Sequence, residues 1–280
     1  MNHSGPFDTK SHSRDIVSGL QAVYGIGVAQ IVKTEAWLEV FQENSACLHA
    51  ACRACDSARI PALRLYGGGA EGICGADRGV YGEGGTMKLS TKEFDAMQMG
   101  WRKWYIEKVE LKTFEKFGLR IKDADILEVG CGNGYAASLI TAKKPHSYTG
   151  LDIMPEQLEI ARGRNLKNAV FVEGSADDLS RFADKGFDAI LDFCILHHVE
   201  GWRTFFDESR RVLKDGGCIY VADLSKRCIH MVDAILHWGH AEEALFTLKE
   251  FEEEAKKRGF RTVRKANDLS LEGYFRFQKE

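Results

Sequence analysis

Hydrophobic and polar positions follow two different periods along this chain. Between Glu93 and Phe117 the apolar residues recur at the spacing of one helix face. From Ile121 onward, short apolar runs alternate with stretches of helical periodicity. Alternating strands and helices predict an α/β domain, in which a parallel, doubly wound sheet carries helices on both faces.

The same pattern gives the order of the elements. Strands are predicted near residues 125–129, 147–151, 169–173, 187–193 and 217–223. Helices are predicted near residues 133–143, 155–164, 200–213 and 247–258. Two later apolar runs, at 260–263 and 274–277, are expected to pair as closing strands.

Residues 1–86 differ from the rest in composition. Helical periodicity between Arg14 and Gln42 is weak, and nine of the nineteen residues from Gly67 to Gly85 are glycine. Because glycine costs much entropy to order and buries no side chain, we expect a weakly ordered, Cys/Gly-rich extension. The domain is predicted at 87–280, with a helical cap at its start. An alternative is translation from Met87, which would leave this domain alone.

Composition narrows the classes of partner. The 280 residues carry a formal net charge of −3, so nucleic-acid binding is not expected. The uncharged run from Ile16 to Val32 contains glycine, glutamine and serine, and we predict no membrane span. Eight cysteines are scattered along the chain, which favours a reducing, cytoplasmic compartment over a disulfide framework.

A glycine-rich turn follows the first predicted strand. The strand 125–129 includes Glu128 near its end, and the turn Gly130–Gly134 has glycine at every second position before a helix begins. Such a strand, turn and helix form a cradle for a nucleotide. Asp152 ends the second strand, at the spacing of an acid that binds a ribose. We expect both carboxylates at one crevice, since parallel strands end at the same edge.

These motifs together resemble the class I S-adenosylmethionine-dependent methyltransferases, in particular the small-molecule branch that includes the ubiquinone and menaquinone C-methyltransferases. The segments that carry the resemblance are 128–134, 149–152 with Pro155, 174–176, 187–199 and 211–217. The resemblance implies a Rossmann-like, seven-stranded sheet with an antiparallel last strand. It also implies S-adenosyl-L-methionine as cofactor and in-line transfer of a methyl group to a small-molecule acceptor.

The resemblance further implies roles for individual residues. Gly130 and Gly132 would line the methionine and ribose portions, Glu128 would organise the ammonium group, and Asp152 would hold the ribose hydroxyls. Ile153 would lie against the adenine, and Ser175 departs from the aspartate that many relatives place there. The full set of predicted cofactor-binding residues is Glu128, Gly130, Cys131, Gly132, Gly134, Asp152, Ile153, Ser175, Ala176 and Phe193.

The acceptor side is predicted at the end of the fourth strand. His198 and His197 are the candidate catalytic residues, with His198 as base or orienting group, although a histidine pair opening a helix also serves as a cap or a packed ring. Histidines and aromatic residues with few charges indicate a partly apolar acceptor. The predicted acceptor-binding residues are Trp101, Tyr105, Cys194, His237 and Trp238.

No metal site is expected. Cys47, Cys52 and Cys55, with Cys74 later, have the spacing of iron–sulfur ligands, or of a zinc site with His49 nearby. The flanking sequence lacks strand alternation, and methyl transfer requires no redox centre. The pair His237 and His240 is too short a motif to indicate a metal by itself.

Two other functions remain open from sequence. Gly132–Ala137 fits a variant of the dinucleotide fingerprint, which would make the protein an NAD(P)-dependent oxidoreductase. Against this, Glu128 would place a negative charge beside a pyrophosphate, whereas it suits a cationic sulfonium compound. A non-catalytic module that binds the cofactor and recruits a partner is the second alternative.

Overall fold

The computed structural model describes residues 100–236, 240–268 and 271–280. The predictions for 1–86 and for the cap before residue 100 lie outside these residues, as do those for His237, Trp238 and the Trp101 side chain. The division of the chain at residue 87 therefore stays a prediction.

Seven strands form one sheet in the order β3-β2-β1-β4-β5-β7-β6. The strands are β1 Asp125–Val129, β2 Ser147–Asp152, β3 Ala169–Glu173, β4 Phe187–Phe193, β5 Leu213–Leu224, β6 Phe260–Asp268 and β7 Glu272–Lys279. The first five run parallel, and β7 lies antiparallel between β5 and β6. The predicted seven-stranded α/β sheet with an antiparallel last strand is confirmed.

Helices precede β1 and connect β1 to β2, β2 to β3, β4 to β5 and β5 to β6. In the described part of the chain they are α1 Gly100–Tyr105, α2 Leu111–Lys116, α3 Tyr135–Thr141, α4 Pro155–Gly163, α5 Trp202–Val212, α6 Lys226–Leu236 and α7 Leu248–Lys257. A π-helical turn, Ile106–Glu110, joins α1 to α2, and short 3-10 turns lie at Leu196–His198 and Glu242–Ala244. Helices α3, α4, α5 and α7 lie where the pattern predicts them. Helix α6 occupies a stretch for which no element is predicted.

Strand β5 is longer than its predicted range. It begins at Leu213, so the predicted glycine turn before residue 218 lies inside the strand. The register of the pairing with β4 shifts at this point. Gly216 adopts a φ angle of 72° at this point, which favours glycine. A turn sequence thus lies inside a strand.

Side chains from both faces of the sheet form the core. Neighbouring residues of a strand point to opposite faces. Ile126 packs in a cluster with Phe114, whereas Leu127 packs in a second cluster with Trp202. Both residues of β1 are fully buried, which is expected of a central parallel strand covered on two sides.

A buried ion pair fixes the cap helix to the end of β4. Arg102 of α1 bonds Glu110 at 2.6 Å, and both side chains are buried. The Arg102 Nη2 atom also donates to the carbonyl oxygen of Phe193 at 2.9 Å. These bonds position the described part of the cap at the edge where the parallel strands end.

Candidate active site

The turn after β1, Gly130–Gly134, has three glycines in the left-handed backbone region. The φ angles are 67° at Gly130, 49° at Gly132 and 72° at Gly134. A Cβ atom at Gly130 would lie 2.4 Å from the Ile195 side chain, so this position is tightly packed. A Cβ atom at Gly132 would meet nothing within 4 Å, so the space beside it is open. This open space is a cradle that a ligand can enter.

Asp152 ends β2 and holds the glycine turn in place. Its Oδ2 atom accepts a hydrogen bond from Gly132 N at 2.7 Å, and its Oδ1 atom accepts from Met154 N at 2.9 Å. Burial raises the pKa of Asp152, and the backbone donors oppose that rise. The acid therefore stands at the rim of the cradle, with its oxygens bonded to the backbone of both loops.

Glu128 lies on the neighbouring strand with only 1% of its surface exposed. The Tyr148 hydroxyl donates to its Oε2 atom at 2.6 Å. Burial raises the pKa of Glu128 to about 8; the bond from Tyr148 opposes the rise, and the negative charge of Asp152 adds to it. Since Asp152 acts on Glu128 in this way, the two carboxyl groups share one region of the crevice. Glu128 is mainly protonated at pH 7 until a positive charge approaches it.

Cys131 has a packing role. Its side chain is buried, and a Cβ atom at Gly150 would lie 2.8 Å from the Cys131 sulfur. Its backbone N–H donates to the carbonyl oxygen of Leu151 at 2.9 Å. Burial raises the pKa of this thiol well above its ordinary value, so it stays protonated. Cys131 thus fills the space between β1 and β2 beside the cradle.

The predicted adenine contacts follow β2 and β3. Ile153 is partly buried and Ala176 is buried. The Ser175 hydroxyl donates a hydrogen bond to Asp177, so a carboxylate stands next to the serine that replaces the expected aspartate. Gly174 N donates to the Asp152 carbonyl at 2.9 Å, which ties this loop to the end of β2.

Phe193 lies in the core. Its ring packs against Phe114, with 5.1 Å between the ring centroids, and its carbonyl oxygen accepts the bond from Arg102. Only 4% of its surface is exposed. The ring thus packs at the end of β4, and its contact with a cofactor stays a prediction.

His197 is bonded to a carboxylate in a buried pair. Its Nδ1 atom lies 2.5 Å from Asp223 Oδ1, and the other oxygen of Asp223 accepts from Leu196 N at 2.7 Å. The carboxylate selects the tautomer with hydrogen on Nδ1 and leaves Nε2 as the basic nitrogen. Burial and the neighbouring rings of His198 and His240 lower the pKa of His197, so it is neutral at pH 7.

The structure brings a third histidine to the predicted pair. The centroids of the His197 and His198 rings are 4.1 Å apart, and the His240 ring lies 4.9 Å from His198 and 5.5 Å from His197. We call these three residues the histidine cluster. It stands directly after β4, on the acceptor side of the crevice.

Two predicted acceptor-binding residues fall in the described chain with their side chains. The Tyr105 hydroxyl bonds Glu272 and lies 2.9 Å from the Tyr274 hydroxyl, so it anchors α1 to the start of β7. Cys194 is buried with a φ angle of 67°, and its thiol lies in one group with His197 and Asp223. The acceptor-binding roles of Cys194 and Tyr105 stay predictions.

Three residues of this region, Arg102, Asp223 and His240, are not among the predicted site residues. Asp223 could be found from the sequence, because it lies near the carboxyl end of β5. Glu128 lies at the same place in β1. The contact of Arg102 with Phe193 joins residues 91 positions apart, and the only sequence signal at His240 is its short spacing from His237.

With this geometry in view, residues 127–221 match the family model Methyltransf_11, described as a methyltransferase domain. The matched segment runs from β1 to β5 and contains the glycine turn, Asp152 and the first two histidines of the cluster. The match covers about a third of the chain. The match supports the predicted methyltransferase class for this segment.

Curated relatives match the same part of the methyltransferase domain. A fatty-acid O-methyltransferase of Mycolicibacterium smegmatis is 39% identical over 104 residues, which cover 36% of this chain and 38% of the relative. A phthiotriol/phenolphthiotriol dimycocerosates methyltransferase of Mycobacterium tuberculosis is 40% identical over 101 residues, which cover 35% of this chain and 37% of the relative. The chain thus spans well under half the length of these relatives. Their names differ from the quinone C-methyltransferases that the motifs resemble.

Solved structures share the fold of the methyltransferase domain. A SAM-dependent methyltransferase from Aquifex aeolicus superimposes with a TM-score of 0.56 at 18% identity, covering 69% of this chain and all of that one. A second such enzyme, from Mesorhizobium loti, gives 0.52 at 15% identity, covering 61% of this chain and 97% of the other. Among the described residues, no helix has the length and apolar character needed to cross a bilayer.

Proposed function

We propose that this chain is an S-adenosylmethionine-dependent methyltransferase whose acceptor is an oxygen atom of a small molecule with an apolar chain. The observation that carries the proposal is the open space beside Gly132, whose backbone N–H is bonded to Asp152 and which follows the strand that carries the buried Glu128. Two buried acids with pKa values raised by burial suit a ligand that brings its own positive charge.

The residues of the crevice divide the cofactor between them. Glu128 would give up its proton to bind the ammonium group, and Asp152 would share its oxygens between Gly132 N and the ribose hydroxyls. Ser175 with Asp177, and the side chain of Ile153, would meet the adenine. When bound, the cofactor supplies a methyl group already activated by the sulfonium charge.

The protein must then align the acceptor and exclude water. Holding reactants in line contributes on the order of 7–11 kcal/mol to such reactions. A hydroxyl acceptor must also lose a proton, and His197 is suited to take it, because Asp223 holds its other nitrogen. A base placed in this way contributes about 10²–10⁴-fold in rate. A carboxylic acid is ionised at pH 7 and has no need of this base.

An oxygen acceptor is favoured over the ring carbon of a quinol. One relative is named for O-methylation of a fatty acid, and a second is named for a phthiotriol compound. The neutral imidazole of His197 also suits a hydroxyl joined to an apolar chain.

Substituting Gly132 by alanine tests the cofactor site. We expect the added methyl group to enter the open space and to weaken binding of S-adenosylhomocysteine at least about tenfold. The ligand would lose packing contacts of about the size of one methyl group, which cost over about 1 kcal/mol of binding free energy. Titration calorimetry measures the affinity. Gly216→Ala is the matched control. Gly216 also has a left-handed φ angle, 72°, and an added Cβ atom would lie no closer than 3.8 Å to another residue. It lies near the start of β5, whereas the crevice is at the end of the parallel strands. Equal loss in both variants, or tight NADH binding by the parent, would refute the proposal.

The acceptor is tested by product analysis. The full chain, given labelled S-adenosylmethionine, should convert saturated fatty acids or long-chain alcohols to methyl esters or ethers, identified by mass spectrometry. Turnover confined to quinols with the methyl group on carbon would contradict the choice of oxygen. Binding without turnover on any of these acceptors would favour the non-catalytic module.

A further inference from the structure

The histidine cluster brings together three nitrogen ligands from two separate segments. His197 and His198 lie in the 3-10 turn after β4, and His240 lies just after helix α6. One ring nitrogen from each residue lies within 4.8 Å of the other two. Tetrahedral zinc with bonds of 2.0–2.1 Å would hold such nitrogens roughly 3.3 Å apart, so the rings need move by only about 1.5 Å to close on an ion.

Carboxylates orient two of the three rings. His197 Nδ1 lies 2.5 Å from Asp223 Oδ1, and His240 Nδ1 lies 2.7 Å from Asp233 Oδ1. Asp233 is further fixed by the His240 backbone N–H, which donates to its second oxygen at 3.1 Å. A metal-binding histidine almost always gives its other nitrogen to such a carboxylate or carbonyl. Because the carboxylates hold Nδ1 of both rings, His197 and His240 would bind an ion through Nε2.

We propose that His197, His198 and His240 bind a divalent transition-metal ion, with zinc as the preferred metal. Three histidine nitrogens suit zinc, copper, iron or nickel and do not suit magnesium or calcium, which require oxygen ligands. Three protein ligands also leave a fourth position open, as in catalytic zinc sites. This site goes beyond the proposed function, and its existence does not depend on methyl transfer.

The surroundings match the charge and shape of such an ion. The two negative charges of Asp223 and Asp233 balance its double positive charge. His197 is buried and the His240 side chain is 2% exposed, whereas His198 is only partly buried, so the site is sheltered but open on one side. The lowered pKa of His197 keeps this ring neutral at pH 7, as a ligand must be.

A second grouping near the cluster is less suitable. Cys194, His197 and Asp223 also hold ligand atoms within 4.8 Å of one another. All three are buried, the Asp223 oxygen is already bonded to His197, and burial raises the pKa of the Cys194 thiol well above its ordinary value. An ion there would have to displace the pair that orients His197, and it would have no open position.

The role of the ion rests on the proposed function. An acceptor oxygen bound at the fourth position would be held beside the crevice and would lose its proton more readily, because a bound divalent ion lowers the pKa of its oxygen ligands. With the ion bound, His197 would be a ligand and no longer the base. The ion would then promote loss of the acceptor's proton.

The test is metal binding by the full chain without cofactor or acceptor. Protein treated with a chelator is titrated with Co²⁺, whose visible absorption reports tetrahedral nitrogen ligation, and Zn²⁺ is then used as competitor. We expect the parent to bind one ion tightly with this spectrum. Asp233→Asn should lower the affinity for Co²⁺ about 10–100-fold, the usual cost of losing a residue that orients a metal ligand. His240→Ala removes a ligand itself and should lower the affinity at least about 100-fold.

His146→Ala is the matched control, because His146 is an exposed histidine that also bonds an aspartate, at 2.6 Å, but lies before β2 at the opposite edge of the sheet. Its affinity for Co²⁺ should equal that of the parent. Thermal melts show whether each variant is folded. A parent without tetrahedral Co²⁺ absorption, or a folded His240→Ala that binds as tightly as the parent, overturns the inference. S-adenosylhomocysteine binding, measured on the same samples, tests the proposed function separately.

Discussion

Binding of the cofactor should release a proton from Glu128. The pKa of this buried carboxyl group is raised to about 8 in the ligand-free protein. A cationic ammonium group placed beside it returns the pKa to its ordinary range or below. At pH 7 the free carboxyl group is therefore about 90% protonated, and at pH 9 about 10%, by the usual titration relation. Glu128 should release about 0.9 of a proton per cofactor at pH 7 and about 0.1 at pH 9.

Titration calorimetry with S-adenosylhomocysteine in buffers of different ionisation enthalpy measures this proton. The amino group of the ligand is an amino-acid amine, and it takes up protons of its own as the pH rises towards its pKa. The isosteric variant Glu128→Gln isolates the protein's share, because the ligand contributes equally in both. The difference between parent and variant should fall from about 0.9 to about 0.1 of a proton between pH 7 and pH 9.

The stability of the variant provides a control with a defined sign. A group whose pKa is raised by folding contributes stability below its unfolded pKa and loses it as the pH rises towards the folded value. For Glu128 that loss runs from its ordinary pKa of 4.5 to about 8. Glu128→Gln should therefore be at least as stable as the parent at pH 7 and above. A proton difference that is absent at pH 7, or unchanged at pH 9, would refute the buried acid as the ammonium ligand.

Three further predictions concern other parts of the site. Arg102→Met should lower the free energy of unfolding by about 3–5 kcal/mol in urea denaturation, because Glu110 is left buried and unpaired, and Glu110→Met added to it should recover most of the loss; a cost below 1 kcal/mol would contradict a buried pair. Gly130→Ala should cost more stability than Gly216→Ala, since its Cβ atom would lie 2.4 Å from Ile195; equal melting temperatures would show that Ile195 moves freely. His197→Gln should lower kcat with alcohol acceptors about 10²–10⁴-fold while leaving S-adenosylhomocysteine affinity unchanged, and parent activity should fall at acid pH as His197 gains its proton; an unaltered pH profile in the variant would exclude this base.

The sheet could be predicted from sequence because each central strand is a continuous apolar run. The predicted bounds of β1, β3 and β4 agree with the structure, and Pro155 begins α4 as expected. Helix α6 is missing from the predicted order of elements, because this stretch is interpreted through its histidines and aromatic residues, of which His237 and Trp238 are predicted to bind the acceptor. The start of β5 was placed too late, because glycines normally end a strand and here they lie inside it.

The site was predictable only where its signal is local. Glu128, Gly132 and Asp152 lie at the ends of adjacent strands, and strand order alone brings them together. The bond from Arg102 to Phe193 joins residues 91 positions apart, and the pair of His197 with Asp223 spans 26 positions. No short motif encodes such pairs, so the histidine cluster and its carboxylates emerged only from the three-dimensional structure.

The contact between Gly130 and Ile195 has a consequence for kinetics. Gly130 belongs to the turn that lines the donor side, and Ile195 opens the loop that carries the acceptor-side histidines. Because the Ile195 side chain packs against Gly130 with no room for a Cβ atom, we expect occupancy of one side to be transmitted to the other. We expect the substrates to bind in a compulsory order, with the methyl donor first and the acceptor second, rather than at random.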